Sequence, residues 1–206
     1  MTRIIAYIDG FNLYFGLKSK GWKKYYWLNL MGLVRSLLKP GQTLVEAHYF
    51  TARIRLSGNN HGDMQRQADY LDALSTLPGL TIHYGHYLQK SQQCRQCGAA
   101  WTSYEEKMTD VNIAVQLLAD AFDDRFDTAL ILSGDSDLTT PVHRVRGRFP
   151  QKRVVIAFPP DRYSDQLKRA ANGYFTIGED KLRQNQLPDP VAAAGGFAIH
   201  RPARWR

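Results

Sequence analysis

Cysteine is scarce in this chain of 206 residues: Cys94 and Cys97 are the only two. A single C-x-x-C pair cannot build a disulfide framework, and it fits a reducing compartment better than an oxidising one. No apolar run approaches the ~18 residues of a membrane-spanning helix, so no membrane partner is expected. The opening MTRIIAYIDG has neither the apolar core nor the cleavage site of a secretory signal, which makes cytoplasmic the expected location. Neither G-x-x-x-x-G-K-[ST] nor G-x-G-x-x-G occurs, so no triphosphate loop and no dinucleotide or other nucleotide cofactor is expected. Acidic residues are few beside basic ones, 19 against 27, leaving a net charge of +8. Such a surplus favours a polyanionic partner, because each cation that meets a phosphate releases counterions. The hydrophobic share, 44%, is that of an ordinary globular protein, and the length suits one α/β domain with a full core.

The apolar runs alternate between strand and helix periods. Residues 4–8 read as a buried strand closed by an Asp9-Gly10 turn. Asn29 caps a helix over 30–38, and 44–51 reads as a second strand. A polar loop at 57–60 precedes a helix over 63–77, and 80–86 reads as a third strand. Thr109 caps a helix with Ile113, Leu117 and Ala121 on one face. The fourth strand, 128–132, ends in Ser133-Gly134-Asp135-Ser136-Asp137, and Thr140-Pro141 opens another helix. A fifth strand at 154–158, a helix at 164–172 and a short last strand at 174–177 follow. Alternation of this kind predicts a mostly parallel sheet of about five strands with helices on both faces, a three-layer α/β/α fold. The domain is expected over 1–182, with an excursion carrying the cysteines at 87–105 and a loosely ordered basic tail at 183–206.

Carboxylates stand where such sheets bind ligands, at the carboxyl ends of strands. Asp9 follows the first strand, and Asp135 and Asp137 follow the fourth. Asp110 begins the helix that feeds the fourth strand. If the first and fourth strands are neighbours, four carboxylates meet in one crevice. Like charges that close raise one another's pKa, and a hard divalent cation relieves the conflict. Each piece also has a plain structural reading: Asp-Gly is a common turn, and an acid in a first helical turn favours the helix dipole.

The strings YIDGFNLY at 7–14, EKMTDVNIA at 106–114 and LILSGDSDL at 130–138 together resemble the NYN-domain family, particularly its LabA-like bacterial branch. The resemblance runs from about residue 3 to residue 182. It implies a PIN-like, Rossmannoid fold and a metal-dependent ribonuclease that uses metal-activated water, with Mg²⁺ or Mn²⁺ as cofactor. By matching position it makes Asp9, Asp110, Asp135 and Asp137 the catalytic, metal-holding set. Asn12, Lys107 and Ser133 become supporting residues.

RNA, single-stranded by preference, is the expected partner. Lys18, Lys20, Lys23 and Lys24 interleave with Trp22, Tyr25, Tyr26 and Trp27, and lysines with stacking rings suit unpaired strands. The rings could equally belong to the core. A second run, Arg144, Arg146, Arg148, Lys152 and Arg153, contains no acid and follows the Asp-x-Asp loop. On this reading both runs flank the site. Cys94 and Cys97 resemble half a zinc knuckle, and His86 is the nearest further ligand. Zinc wants four, which His83 or a site shared across a homodimer could help to supply; the plain reading is two reduced cysteines in a surface turn. The competing readings are an RNA-binding or regulatory module without turnover and a haloacid-dehalogenase-like phosphatase built on Asp135-x-Asp137-x-Thr139. The second leaves Asp9 and Asp110 unused, and the acidic pair it needs downstream occurs only at Glu179-Asp180.

Overall fold

The computed structural model describes residues 1–54 and 60–206, with the backbone alone at 89, 101–106 and 194. The polar loop read at 57–59 lies outside the described residues. In chain order the elements are β1 (Thr2–Asp9), α1 (Gly10–Ser19), α2 (Leu30–Leu37), β2 (Gln42–Thr51), α3 (His61–Ser75), β3 (Leu80–Tyr84), β4 (His86–Gln93) and β5 (Ala100–Lys107). After these come α4 (Thr109–Phe122), β6 (Thr128–Leu132), α5 (Thr139–Arg148), β7 (Arg153–Phe158), α6 (Asp165–Ala170), β8 (Gly173–Thr176), α7 (Glu179–Gln184), β9 (Val191–Ala192) and β10 (Ala198–Ile199).

Among the described residues the central sheet has six strands in the order β3-β2-β1-β6-β7-β8, every neighbouring pair parallel. The sixth is the short last strand. Counting only these strands, the order is 3-2-1-4-5-6, and it reverses between β1 and β6. Side chains alternate along β1. Ile4, Ala6 and Ile8 join one core with Leu13 and Leu17 of α1, Leu30 and Leu33 of α2 and Leu74 of α3. Ile5 and Tyr7 join the other with Ile113 and Leu117 of α4, Val142 of α5 and Leu167 of α6. The result is a sheet buried on both faces, which explains strands that read as nearly continuous apolar runs.

Three local readings are corrected. Asp9-Gly10 is not a closing turn; Asp9 is the N-cap of α1, whose Leu13, Gly16 and Leu17 are buried. The side-chain cap and the close approach of Gly10 to β2 decide this, since a Cβ there would lie 2.7 Å from the Phe50 carbonyl oxygen. Thr109 is the first helical residue of α4, and Met108 at φ 82° takes the cap position. The cysteine-bearing excursion is an antiparallel hairpin of β4 and β5.

The segment from residue 183, expected as loose, folds back onto the first core. The Leu187 amide donates to the Trp27 carbonyl at 2.9 Å, and Trp27 Nε1 donates to the Pro188 carbonyl at 2.9 Å. Trp205 lies 5.6 Å from Tyr26, 6.4 Å from Trp27 and 6.0 Å from Tyr70, centroid to centroid. Aromatic burial of this kind outweighs the local Pro, Ala and Gly content that argued for disorder.

Gly16 tests how tightly α1 is seated. A Cβ added there would stand 2.4 Å from the Pro160 carbonyl oxygen. Alanine is the better helix former by about 1 kcal/mol, but overpacking against backbone costs roughly 1–3 kcal/mol. Gly16→Ala should therefore lower the urea midpoint, and a raised midpoint would show that the chain at 159–160 yields without strain.

Candidate active site at the carboxyl edge of the sheet

Strands β1 and β6 run side by side, with Ile8 opposite Leu132, so the residues that follow them share one edge. Asp9 is almost fully buried there, at 1% exposure. Its Oδ1 accepts from the Asn12 amide at 2.9 Å, which caps α1. Its Oδ2 accepts from Asn12 Nδ2 at 2.7 Å and from Ser133 Oγ at 2.8 Å. The Gly134 amide donates to Asn12 Oδ1 at 3.2 Å, and the Asp135 amide donates to Ser133 Oγ at 3.0 Å. Asp135 in turn caps the single helical turn Ser136–Leu138 by accepting from the Asp137 amide at 2.9 Å. One hydrogen-bonded net thus joins the ends of both strands.

Burial pushes the Asp9 carboxyl pKa up. The Asn12 and Ser133 donors oppose that, and the nearby charge of Asp135 pushes it higher again. Three of the roughly four lone-pair positions of this carboxylate are filled, leaving one for a further partner. Asp135 is half-buried and Asp137 exposed. Asp110, half-buried, lies in the first turn of α4, the helix packed on β1 and on the turn Ser136–Leu138. Lys107 is exposed at the end of β5.

An all-oxygen donor set of this kind suits Mg²⁺ or Mn²⁺, which takes one or two carboxylates and completes its shell with water and phosphate oxygens. The buried Asp9 carboxylate, with three acceptor positions filled and one open, is the structural observation that fits such an ion. The four carboxylates share an edge without closing tightly. Among the described residues, only Glu46, His48 and Asp120 bring three possible ligand atoms within 4.8 Å of one another.

That second cluster lies deeper, under α4, roughly 15 Å along the helix from Asp110 at 1.5 Å per residue. It could hold a cation, but Arg125 already serves it, with Nη1 3.0 Å from Asp120 and Nη2 2.8 Å from Glu46. The Tyr7 hydroxyl donates to Asp120 Oδ2 at 2.8 Å. His48 Nε2 sits 2.7 Å from Glu46 Oε1 outside hydrogen-bond alignment, and His48 Nδ1 lies 3.0 Å from His83 Nε2. Burial raises the Asp120 pKa, but His48 and Tyr7 outweigh it and hold the group below its ordinary value. Burial and the neighbouring His48 lower the pKa of His83. The sequence carried one signal for this cluster: Asp120 falls on the apolar face of α4 beside Leu117 and Ala121.

The basic runs separate. Lys18 and Lys23 line a cavity of about 540 Å³ whose walls include Gly10 and Phe11. Lys20 is paired with Asp161 at 2.7 Å, and Lys24 lies 3.5 Å from Glu179 and over the Tyr25 ring. Trp22 is half-buried edge-to-face against Tyr25, and Tyr25 and Trp27 belong to the core. The second run does not flank the site. Helix α5 leaves the carboxyl edge at Thr139 and descends, so Arg144, Arg146 and Arg148 fall progressively further away. Arg146 donates to the Ala170 carbonyl, and Lys152 is buried against Asp124 at 2.5 Å.

The zinc set does not assemble. His86 begins β4 and Cys94 follows its end, a separation of about 26 Å of extended chain. Backbone donors at Cys97 and Gln96 lower the Cys94 thiol pKa, yet the pair has no third ligand among the described residues.

A three-layer fold with acids at the switch point of a parallel sheet defines the PIN-like, Rossmannoid class. Within it, the NYN domain matches residues 3–179, and the chain belongs to the NYN-domain family, part of a nuclease-like superfamily. This membership, with Asp135 turned onto its own loop, sets aside the haloacid-dehalogenase-like reading. The chain is 30% identical to a Pseudomonas putida protein named 6-hydroxy-3-succinoylpyridine 3-monooxygenase, over 99% of this chain and 75% of that one. It is 19% identical to the low amplitude and bright protein LabA of Synechococcus elongatus, over 94% of each. A crystal structure of a Vibrio parahaemolyticus protein of unknown function shares the fold, with TM-score 0.55, 19% identity and 90% and 96% coverage. No helix among the described residues is long and apolar enough to cross a membrane.

Asp120→Ala should cost about 1–3 kcal/mol at pH 7, because it leaves the buried Tyr7 hydroxyl without its acceptor while half-exposed Arg125 keeps Glu46. The folded-state pKa of Asp120 lies below its unfolded value near 3.8. Its contribution is therefore complete above about pH 4 and is lost as pH falls through the folded value. Urea melts at pH 7 and pH 3 should show the gap between variant and parent narrowing at the lower pH.

Proposed function

We propose that this chain is a Mg²⁺- or Mn²⁺-dependent ribonuclease whose cleavage site is the Asp9–Asp135 edge. The observation that carries the reading is the buried Asp9 carboxylate, held by Asn12 and Ser133 with Asp135 at the neighbouring strand end, at the topological switch point of an NYN domain. Asp9 and Asp135 would hold the cation, with Asp110 and Asp137 reaching it through water. When bound, such an ion supplies charge stabilisation and a more acidic water. Asn12 and Ser133 keep the Asp9 carboxylate in one rotamer, so little reorganisation is needed when phosphate arrives. Lys18 and Lys23 attract the strand.

The test is cleavage of labelled single-stranded RNA by purified protein in Mn²⁺, with and without EDTA. Asp135→Asn should lower the rate on the order of 10²-fold or more, the scale of a lost ligand charge at a catalytic metal. The variant should keep its fold, since the change also relieves repulsion on Asp9. Replacing Lys18 and Lys23 together by Ala should reduce the salt slope of RNA binding by about 1.4 units. RNA bound without any metal-dependent turnover would turn the reading to a binding or regulatory module.

The aromatic cavity beside α1 favours one second reading: oxygenation of a small heteroaromatic acid, as the name of the Pseudomonas putida relative states for that protein. Oxygen uptake dependent on a pyridine carboxylate and a reduced nicotinamide supports that reading, and its absence removes it.

A further inference from the structure

The cavity of about 540 Å³ lies within the range of small-ligand pockets, and its walls are unusual for a hydrolase surface. Tyr14, Tyr26, Tyr49, Tyr70, Tyr87 and Trp205 line it from six separate parts of the chain. Tyr14 stands 5.2 Å from Tyr26, with the two planes tilted, and Trp205 closes the far side against Tyr26 and Tyr70. Partial burial and the neighbouring Tyr14 push the Tyr26 hydroxyl up to about 12, so it stays a neutral donor. Burial likewise raises the Tyr49 hydroxyl at the floor, where Thr51 is its partner.

The rim is cationic. Lys18, Lys23 and Arg204 border the cavity, and Arg66 borders it already paired with Asp63. Among the described residues Asp63 is the one acid on the lining. Flat aromatic walls under a basic rim match a planar ring that carries an anionic group. Gly10 and Phe11, the residues after Asp9, belong to the lining, so the cavity adjoins the candidate active site.

We propose that this cavity is a base pocket, which takes the nucleobase of the nucleotide flanking the scissile phosphate and holds its phosphate on Lys18, Lys23 and Arg204. The proposal rests on the ribonuclease reading above. Base–aromatic stacking tolerates every base, and the side chains of Tyr26, Tyr49 and Thr51 lie on the same lining. The last residues of the chain are then part of the substrate site. Arg201 donates to the Lys24 and Trp205 carbonyls and so pins Trp205 in the wall.

The test is titration of the four 5′-mononucleotides into metal-free protein, followed by tryptophan fluorescence and amide NMR shifts. Ribose 5-phosphate and nicotinate serve as controls for the phosphate alone and for a free heteroaromatic acid. At least one nucleotide should bind tenfold or more tightly than ribose 5-phosphate. Tyr14→Ala, at a ring that is 41% exposed, should weaken it roughly 5- to 100-fold. Trp205→Phe should bind more tightly than Trp205→Ala, which separates a stacking wall from a general loss of structure. Nucleotides that bind no better than ribose 5-phosphate, or less well than nicotinate, overturn the proposal, as does an unaltered affinity in Tyr14→Ala. Because binding is read without metal, the two claims fail separately. Nucleotide binding without RNA cleavage removes the nuclease and keeps the pocket, and cleavage without nucleotide binding does the reverse.

Discussion

Everything proposed for this protein depends on the parallel pairing of β1 with β6. The two strands are more than a hundred residues apart in sequence, and their register sets Ile8 against Leu132. That register brings Ser133 within 2.8 Å of Asp9 and lets Asn12 span both strand ends. A slip of one residue would turn each strand's side chains to the opposite face and dissolve the net. The sheet is buried on both faces, which leaves no alternative register with comparable burial.

The same helix that presents Asp110 at the carboxyl edge carries Asp120 into the buried cluster with Glu46, His48, Tyr7 and Arg125. An ion pair this deep adds little net stability relative to an apolar core, but breaking it is costly. Its effect is to fix the height and rotation of α4 against β1 and β2, since the three partners leave Asp120 one placement. The position of Asp110 is therefore set from below, by contacts with no part in the chemistry.

The C-terminal segment plays a comparable part on the other face. Trp205 rests against Tyr26, Trp27 and Tyr70, and Trp27 is bonded to Pro188 through its indole nitrogen. Tyr26, Tyr70 and Trp205 thereby become walls of a cavity beside the candidate active site.

The sequence by itself determined the strands, most of the helices and the places where chemistry could sit. Buried strands announce themselves as apolar runs, and an Asp directly after such a run must lie at a strand end. Asp9, Asp135 and Asp137 were legible for that reason, and Asp110 through the helix period that begins beside it. Helix α1 was not legible, because its start depends on a capping bond and on the close seating of Gly10 and Gly16 against β2 and Pro160. The fate of each lysine between residues 18 and 24 also escaped, since Asp161 and Glu179, far along the chain, claim Lys20 and Lys24. The descent of Arg144–Arg148 away from the edge, the distance between His86 and Cys94, and the return of Trp205 were decided only by tertiary structure. Local periodicity records which side of an element is buried; which distant element covers that side is settled by packing the whole chain at once.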